Sequence, residues 1–179
     1  MSATVVATHI WPAERSTPLA VDALDLDWGG PIGDRHHGIT MLSDTRQKSV
    51  YARGTQIRNH RQVSLVDVAE LTAIANALGI DDLPAGVIAD NICTSGITEL
   101  TSLPRMTRLV FSSGAVLMLG GENMPCTIAG GLVAGQFAIE PAAFPKAALG
   151  LRGVTGWVEH PGTVRPGDAI DVVLPSRGA

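Results

Sequence analysis

Leu109-Val110-Phe111-Ser112-Ser113-Gly114-Ala115-Val116-Leu117-Met118-Leu119 is a pair of apolar runs around a three-residue polar turn. Two short apolar runs joined by a turn ending in glycine read as a β-hairpin. The second run continues into Gly120-Gly121-Glu122-Asn123-Met124-Pro125-Cys126. The two glycines are expected to end the strand and free the backbone for a sharp turn. Pro125 fixes its own φ and pushes Met124 toward an extended conformation. Cys126 is thereby set on a stiff loop at a strand end, with Glu122 and Asn123 close by. It reads either as a small buried hydrophobe or as a sulfur held toward a pocket.

The same alternation of short strands and turns runs outward in both directions. Upstream, Ala3 to Ile10 reads as a strand ended by Trp11-Pro12. Residues 13–27 read as a loop or an irregular strand, and Gln62 to Val66 as a further strand. Asp67-Val68-Ala69-Glu70 carries a capping-box pattern, so a helix is expected to start there. Val68, Leu71, Ile74, Ala75 and Leu78 form its apolar face, and Gly79 supplies its stop. Val87 to Thr94 is an apolar run with Asp90 and Asn91 embedded in it, and Cys93 there reads as core. Downstream, Ile128 to Gly150 is rich in Ala and Gly, with a short helix expected over 144–149. Strands are expected over 154–159 and 169–174, separated by Gly/Pro turns. Many short strands and one firm helix predict a mainly β protein, a closed or nearly closed β-barrel with a few short α-helices. No repeat or linker divides it, so residues 1–179 form one domain.

Composition narrows the function. Apolar residues make up 45% of the chain and charged residues 17%, which fits a compact fold with little spare surface charge. A net charge of −4 gives no global attraction to nucleic acid or acidic membranes. Aromatic residues at 4% leave little for base stacking. No stretch is apolar and long enough to span a bilayer, and the N-terminus lacks a basic leader pattern. Two cysteines, Cys93 and Cys126, are too few for a disulfide scaffold, so a cytoplasmic protein with reduced thiols is expected. Eleven of the 13 basic residues are arginine. That bias permits a local anion site, and compositional drift would also produce it.

Two other segments concentrate chemistry. Trp28-Gly29-Gly30-Pro31-Ile32-Gly33-Asp34-Arg35-His36-His37-Gly38 is a glycine-rich loop around an Asp-Arg-His-His core. Adjacent histidines in an extended chain point to opposite faces, so at most one of them faces a site. His36 reads as structural. Zinc at His36 or His37 would make a small hydrolase, but no further ligand spacing supports it. Residues 43–62 are the most basic segment; Arg46, Lys48 and Arg53 read as a solvated loop, whereas Arg58 and Arg61 lie close enough to the next strand to be positioned by it.

In order along the chain, several of these stretches resemble the MOSC domain family, named for the C-terminal domain of molybdenum cofactor sulfurases. They are Gly33-Asp34-Arg35-His36-His37-Gly38, Arg61-Gln62-Val63-Ser64-Leu65, Asn91-Ile92 with Gly96-Ile97, and Leu103-Pro104 with Thr107-Arg108-Leu109. Pro125-Cys126, Arg152-Gly153-Val154 and Pro161-Gly162-Thr163-Val164-Arg165-Pro166-Gly167-Asp168 complete the set. The resemblance covers about residues 29–174.

The resemblance implies a pyruvate-kinase-type β-barrel and a pocket associated with molybdenum cofactor (molybdopterin). Carried over, Cys126 would be the metal ligand or sulfur carrier, a role suited to a soft thiolate. Arg35, Arg61 and Arg152 would take the pterin phosphate, His37, Asn91 and Asn123 would bind the ligand, and Asp34 would orient Arg35. A separate sulfurtransferase or redox protein would be the partner. No pyridoxal phosphate is expected in this domain alone. The chain departs from the family in having Ala89-Asp90-Asn91 where Gly-Glu-Asn is common. The rival expectation is a non-catalytic module that binds a small anionic ligand in the same pocket, through Arg35 and Arg61 and independently of Cys126.

Overall fold

The computed structural model describes residues 3–176. In chain order the strands are β1 (Ala3–Ile10), β2 (Leu19–Val21), β3 (Leu24–Asp27), β4 (Gly30–Pro31), β5 (Thr40–Leu42), β6 (Gln56–Arg58) and β7 (Val63–Asp67). Helix α1 (Val68–Leu78) leads to β8 (Ile92–Ser95), β9 (Arg108–Phe111) and β10 (Val116–Glu122). Helices α2 (Thr127–Ala134) and α3 (Ala143–Ala147) precede β11 (Val154–His160), β12 (Gly162–Val164) and β13 (Ala169–Val173).

Seven strands close a barrel in the order β1-β13-β9-β10-β11-β7-β8, and β8 returns to β1. The seam is short: Ala3 pairs with Ile170 and Thr4 with Ala169. Beyond it, the Val5 amide donates to the Asp168 carbonyl at 2.9 Å. Closure leaves no long sheet edge exposed. Every pairing around the barrel is antiparallel except β7–β8. A parallel pair needs a crossover, and α1 lies in that connection. The predicted 109–119 hairpin is β9–β10, with Leu117 opposite Leu109.

Two apolar clusters follow from the strand period of two. All seven barrel strands contribute to the first, which fills the interior with residues such as Leu65, Ile92, Leu109, Leu117, Val154 and Ile170. The second lies between the wall and the helices, where Val66 and Cys93 meet Leu71, Ile74, Val133 and Phe144. β7 and β8 therefore bury both faces, and burying each such large side chain is worth about 1.5–3 kcal/mol. Cys93 is fully buried, as expected for a core residue.

α1 has the cap its sequence encodes. The Asp67 side chain accepts from the Ala69 amide at 3.0 Å, and Glu70 reaches back to the Asp67 amide. Gly79 closes the helix at φ 69°. The other Asp67 oxygen accepts from Thr94 Oγ1 at 2.9 Å and from the Ile97 amide at 3.2 Å, which ties the helix to β8. Asp67→Ala removes both the cap and these buried bonds, with an expected loss of about 3 kcal/mol. Urea unfolding measures it, with Asp67→Asn expected to recover part; a loss below about 1 kcal/mol would contradict the buried bonding.

Two expectations need correction. Gly120 and Gly121 do not end the hairpin strand. The register shifts between Leu119 and Gly121, so the glycines form a bulge and β10 runs on to Glu122. A Cβ on Gly120 would sit 3.1 Å from the His60 carbonyl oxygen, and Gly121 has φ 112°. The Ala/Gly-rich segment contains an unforeseen helix, α2. There a Cβ on Gly130 would lie 2.1 Å from the Pro141 carbonyl oxygen, so glycine's low helix propensity is offset by close packing of the α2 and α3 segments. β8 takes up only the end of the 87–94 apolar run, and Ala89 within that run has φ 64°. Among the described residues no helix is long and apolar enough to cross a membrane.

Candidate functional site

The polar residues singled out in the sequence sit just outside the ends of regular elements. Arg61 precedes β7, Asn91 precedes β8, Asn123 follows β10, Cys126 precedes α2 and Arg152 precedes β11. There the strand alternation no longer decides which way a side chain points, and all five converge on one cavity of about 210 Å³. Trp11, Arg35, His36, Arg46 and Thr155 help to line it.

Cys126 is the residue before the first turn of α2, with an extended backbone at φ −143°. Its sulfur makes no full capping bond. Partial burial pushes the thiol up, but the Ala129 amide, the Arg152 charge and the Ile128 amide more than offset this and hold its pKa below the ordinary thiol value. The Arg152 Nη1 lies 3.6 Å from Sγ. Cys93 differs in every respect: burial first, then Asp90 and Asp67, push its thiol up to about 12. Of the two, Cys126 is the thiol whose surroundings favour the thiolate.

Two arginines flank it, Arg152 buried and Arg61 partly buried. Arg152 is 8% exposed and donates to the Met124 carbonyl at 2.8 Å and the Ile88 carbonyl at 3.3 Å. Its Nε is buried without a hydrogen-bond partner. Arg61 donates to Asn123 Oδ1 at 3.0 Å and reaches Thr155 Oγ1 at 3.4 Å. Among the described residues neither makes an ion pair. Burial, then the charges of Arg46 and Arg152, lower the Arg61 pKa to about 10. Burial also lowers that of Arg152, against the pull of Cys126. Asp44 and Asp90 act on Arg61 and Arg152 from a distance, but no carboxylate pairs directly with either guanidinium among the described residues, an arrangement suited to an anion.

The Asp34 loop supports this wall. Asp34 lies behind the cavity, 6% exposed. One oxygen accepts from the Trp11 amide at 2.8 Å and Asn91 Nδ2 at 2.9 Å; the other accepts from the His36 amide at 2.8 Å and faces His36 Nδ1 at 3.0 Å. Burial pushes this carboxyl up, but the His36 ring and the His36 and Trp11 amides hold it below the usual value. Asp34 therefore does not orient Arg35, contrary to expectation. Arg35 is held by the carbonyls of Trp11, Pro12 and Arg15, with its guanidinium 3.7 Å above the Trp11 ring. Asn91 is committed at both ends, since its Oδ1 accepts from Ser64 while its Nδ2 serves Asp34 and the His9 carbonyl. Of the two histidines, His36 lines the cavity, whereas His37 pairs with Asp27 at 2.8 Å and faces an adjoining outer cavity. No group of three or more His, Cys, Asp or Glu side chains able to hold a metal ion occurs among the described residues.

The family profile of the MOSC domain matches residues 34–171. The chain belongs to the MOSC family. The MOSC chain is 37% identical over 175 residues to YuaD of Bacillus subtilis (strain 168), covering 96% of this chain and 91% of that protein, whose name assigns it provisionally to metal-sulfur cluster biosynthesis. The crystal structure of the Bacillus subtilis YuaD protein superposes with a TM-score of 0.92 at 35% identity, covering 98% of each chain. The Escherichia coli YiiM crystal structure shares the fold, with a TM-score of 0.62 at 17% identity over 99% of this chain and 72% of that one.

The MOSC family is associated with molybdenum cofactor, and the residues present fit such a group. Cys126 offers a soft thiolate, Arg61 and Arg152 offer positive charge in no direct ion pair, and the Arg152 Nε, with no hydrogen-bond partner among the described residues, marks a donor awaiting an acceptor. The departure at Ala89 shows in the backbone, where an alanine holds a left-handed φ that glycine would adopt freely. Arg46, which reads as solvated from sequence, lines the cavity and acts electrostatically on Arg61 and Arg152.

Proposed function

We propose that this MOSC protein binds molybdenum cofactor in the cavity at Cys126. The Cys126 thiolate is the soft ligand for the metal, and Arg61 and Arg152 take the anionic part of the pterin. The observation that carries this reading is a thiol of lowered pKa beside the buried Arg152 and the partly buried Arg61, neither in a direct ion pair with a carboxylate among the described residues. The metal-sulfur assignment in the name of YuaD points to the same broad chemistry. When bound, the cofactor supplies a metal centre for redox or sulfur chemistry; the chain supplies the thiolate, the charge and the partial exclusion of water.

A second reading has its own observation. Cys93 is buried with its thiol pushed up to about 12, so a persulfide on Cys126 would meet no reactive thiolate within the chain. Such a carrier would be loaded when the Cys126 thiolate attacks the outer sulfur of a donor persulfide. The donor's S–S bond breaks, the Cys126 S–S bond forms, and the donor leaves as a thiolate with no net oxidation. Protein purified from a host that makes molybdenum cofactor is assayed for molybdenum, released pterin fluorescence and cyanide-labile sulfur. Molybdenum with pterin is the expected result. Labile sulfur alone would favour the carrier, and absence of all three would overturn both.

A further inference from the structure

A second cavity of about 330 Å³ adjoins the first and shares with it a wall of Arg35, His36, Arg46 and Arg61. Resting on the anion-binding reading of the inner cavity, we infer that this outer cavity is a second phosphoryl subsite, and that the ligand is a pyrophosphate-linked molecule rather than a monophosphate.

Charge in the outer cavity is unbalanced. Arg35, Arg46 and Arg61 line it, and Asp44 is its one carboxylate. Asp44 is already spent, because it accepts from the Arg46 amide at 2.8 Å and pairs with the Arg46 guanidinium. Arg35 and Arg61 have no carboxylate partner among the described residues. Asn59 keeps the wall in place: its Nδ2 donates to the His36 and Gly38 carbonyls, and its Oδ1 accepts from the Arg61 amide.

Order matters as much as charge. Exposed arginines usually pay rotamer entropy to grip an anion. Arg35 does not, because three backbone carbonyls and the Trp11 ring already fix its plane. Arg61 is held through Asn123 and Thr155 and lines both cavities. One phosphoryl group at Arg61 and Arg152 leaves Arg35 with no anionic partner and Arg46 with Asp44 alone. A second phosphoryl group joined to the first would meet them across the shared wall.

The test is calorimetric titration of the full chain with inorganic pyrophosphate and with orthophosphate, at fixed ionic strength because both are screened by salt. Pyrophosphate is expected to bind at least about tenfold tighter, and Arg46→Gln to weaken pyrophosphate much more than orthophosphate, so that most of that preference is lost. Arg165→Gln, an exposed arginine in the β12–β13 turn, controls for general charge and is expected to change neither. Equal affinities for the two anions, or an equal loss of both in Arg46→Gln, would overturn the inference. So would an effect of Arg165→Gln as large as that of Arg46→Gln. The titration involves neither metal nor sulfur, so it can fail while the Cys126 reading stands, and the metal assay can fail while this one stands.

Discussion

Gly153→Ala is expected to cost about 4 kcal/mol or more, enough to leave much of the protein unfolded. Gly153 has φ 72°, and a Cβ there would sit 1.8 Å from the Leu65 carbonyl oxygen. The clash is with backbone, so no rotamer change relieves it. Relief requires β11 to move off β7, where Val154 faces Leu65 in the barrel wall. It would also disturb two bonds that fix the site: the Gly153 amide donates to Thr101 Oγ1 at 2.7 Å, and the Asn123 amide donates to the Gly153 carbonyl at 2.9 Å. Gly150 is a natural control. It also has φ 72°, but nothing lies within 4 Å of its Cβ position. Gly150→Ala should cost only the backbone term, about 1–2 kcal/mol. Urea unfolding of both variants separates conformation from space. Similar losses in the two would sink the argument for close approach.

The contrast between these glycines also marks what a sequence can disclose. Their spacing and type are visible in the chain, but Leu65 is brought against Gly153 only by barrel closure. Features set by neighbours were legible: the Asp67 cap with Glu70, the Gly79 stop, the 109–119 hairpin and the stiff approach through Pro125 to Cys126. Each depends on residues within a few positions of one another. Helix α2 was hidden because its glycines argue against a helix, and the compensation at Gly130 comes from Pro141 across the α2–α3 turn. Asp34 was assigned to its neighbour Arg35, yet its buried carboxylate is satisfied by two amides and by Asn91, 57 residues away. Burial decided that choice, since a carboxylate out of water needs several donors. Arg46 was read as solvated because nothing in its hairpin indicates that the hairpin borders Arg61.

Cys126→Ser should abolish retention of molybdenum or labile sulfur, while urea unfolding stays within about 0.5 kcal/mol of wild type. A hydroxyl is a hard, weakly acidic group that neither forms the thiolate nor holds a sulfane sulfur. Arg152→Leu tests what makes the thiolate. Removing the charge 3.6 Å from Sγ leaves the α2 amides and the Arg61 charge to oppose burial, so the Cys126 pKa should rise. Alkylation by iodoacetamide follows the thiolate. Its pH profile should move to higher pH, with the rate near neutrality falling about tenfold. Cys126→Ser provides the background, which is expected to be small because Cys93 is buried with its thiol pushed up to about 12. The same depression has a consequence for stability. The Cys126 contribution is fully present above the ordinary thiol pKa and is lost as pH falls through the lowered folded value. Arg152 also supports the Met124 and Ile88 carbonyls, so Arg152→Lys is needed beside Arg152→Leu to keep a charge where the fork is lost. Lysine should restore part of the alkylation rate. A profile unmoved in Arg152→Leu would assign the lowered pKa to helix α2 and Arg61 and leave Arg152 as an anion contact and a brace for the loop.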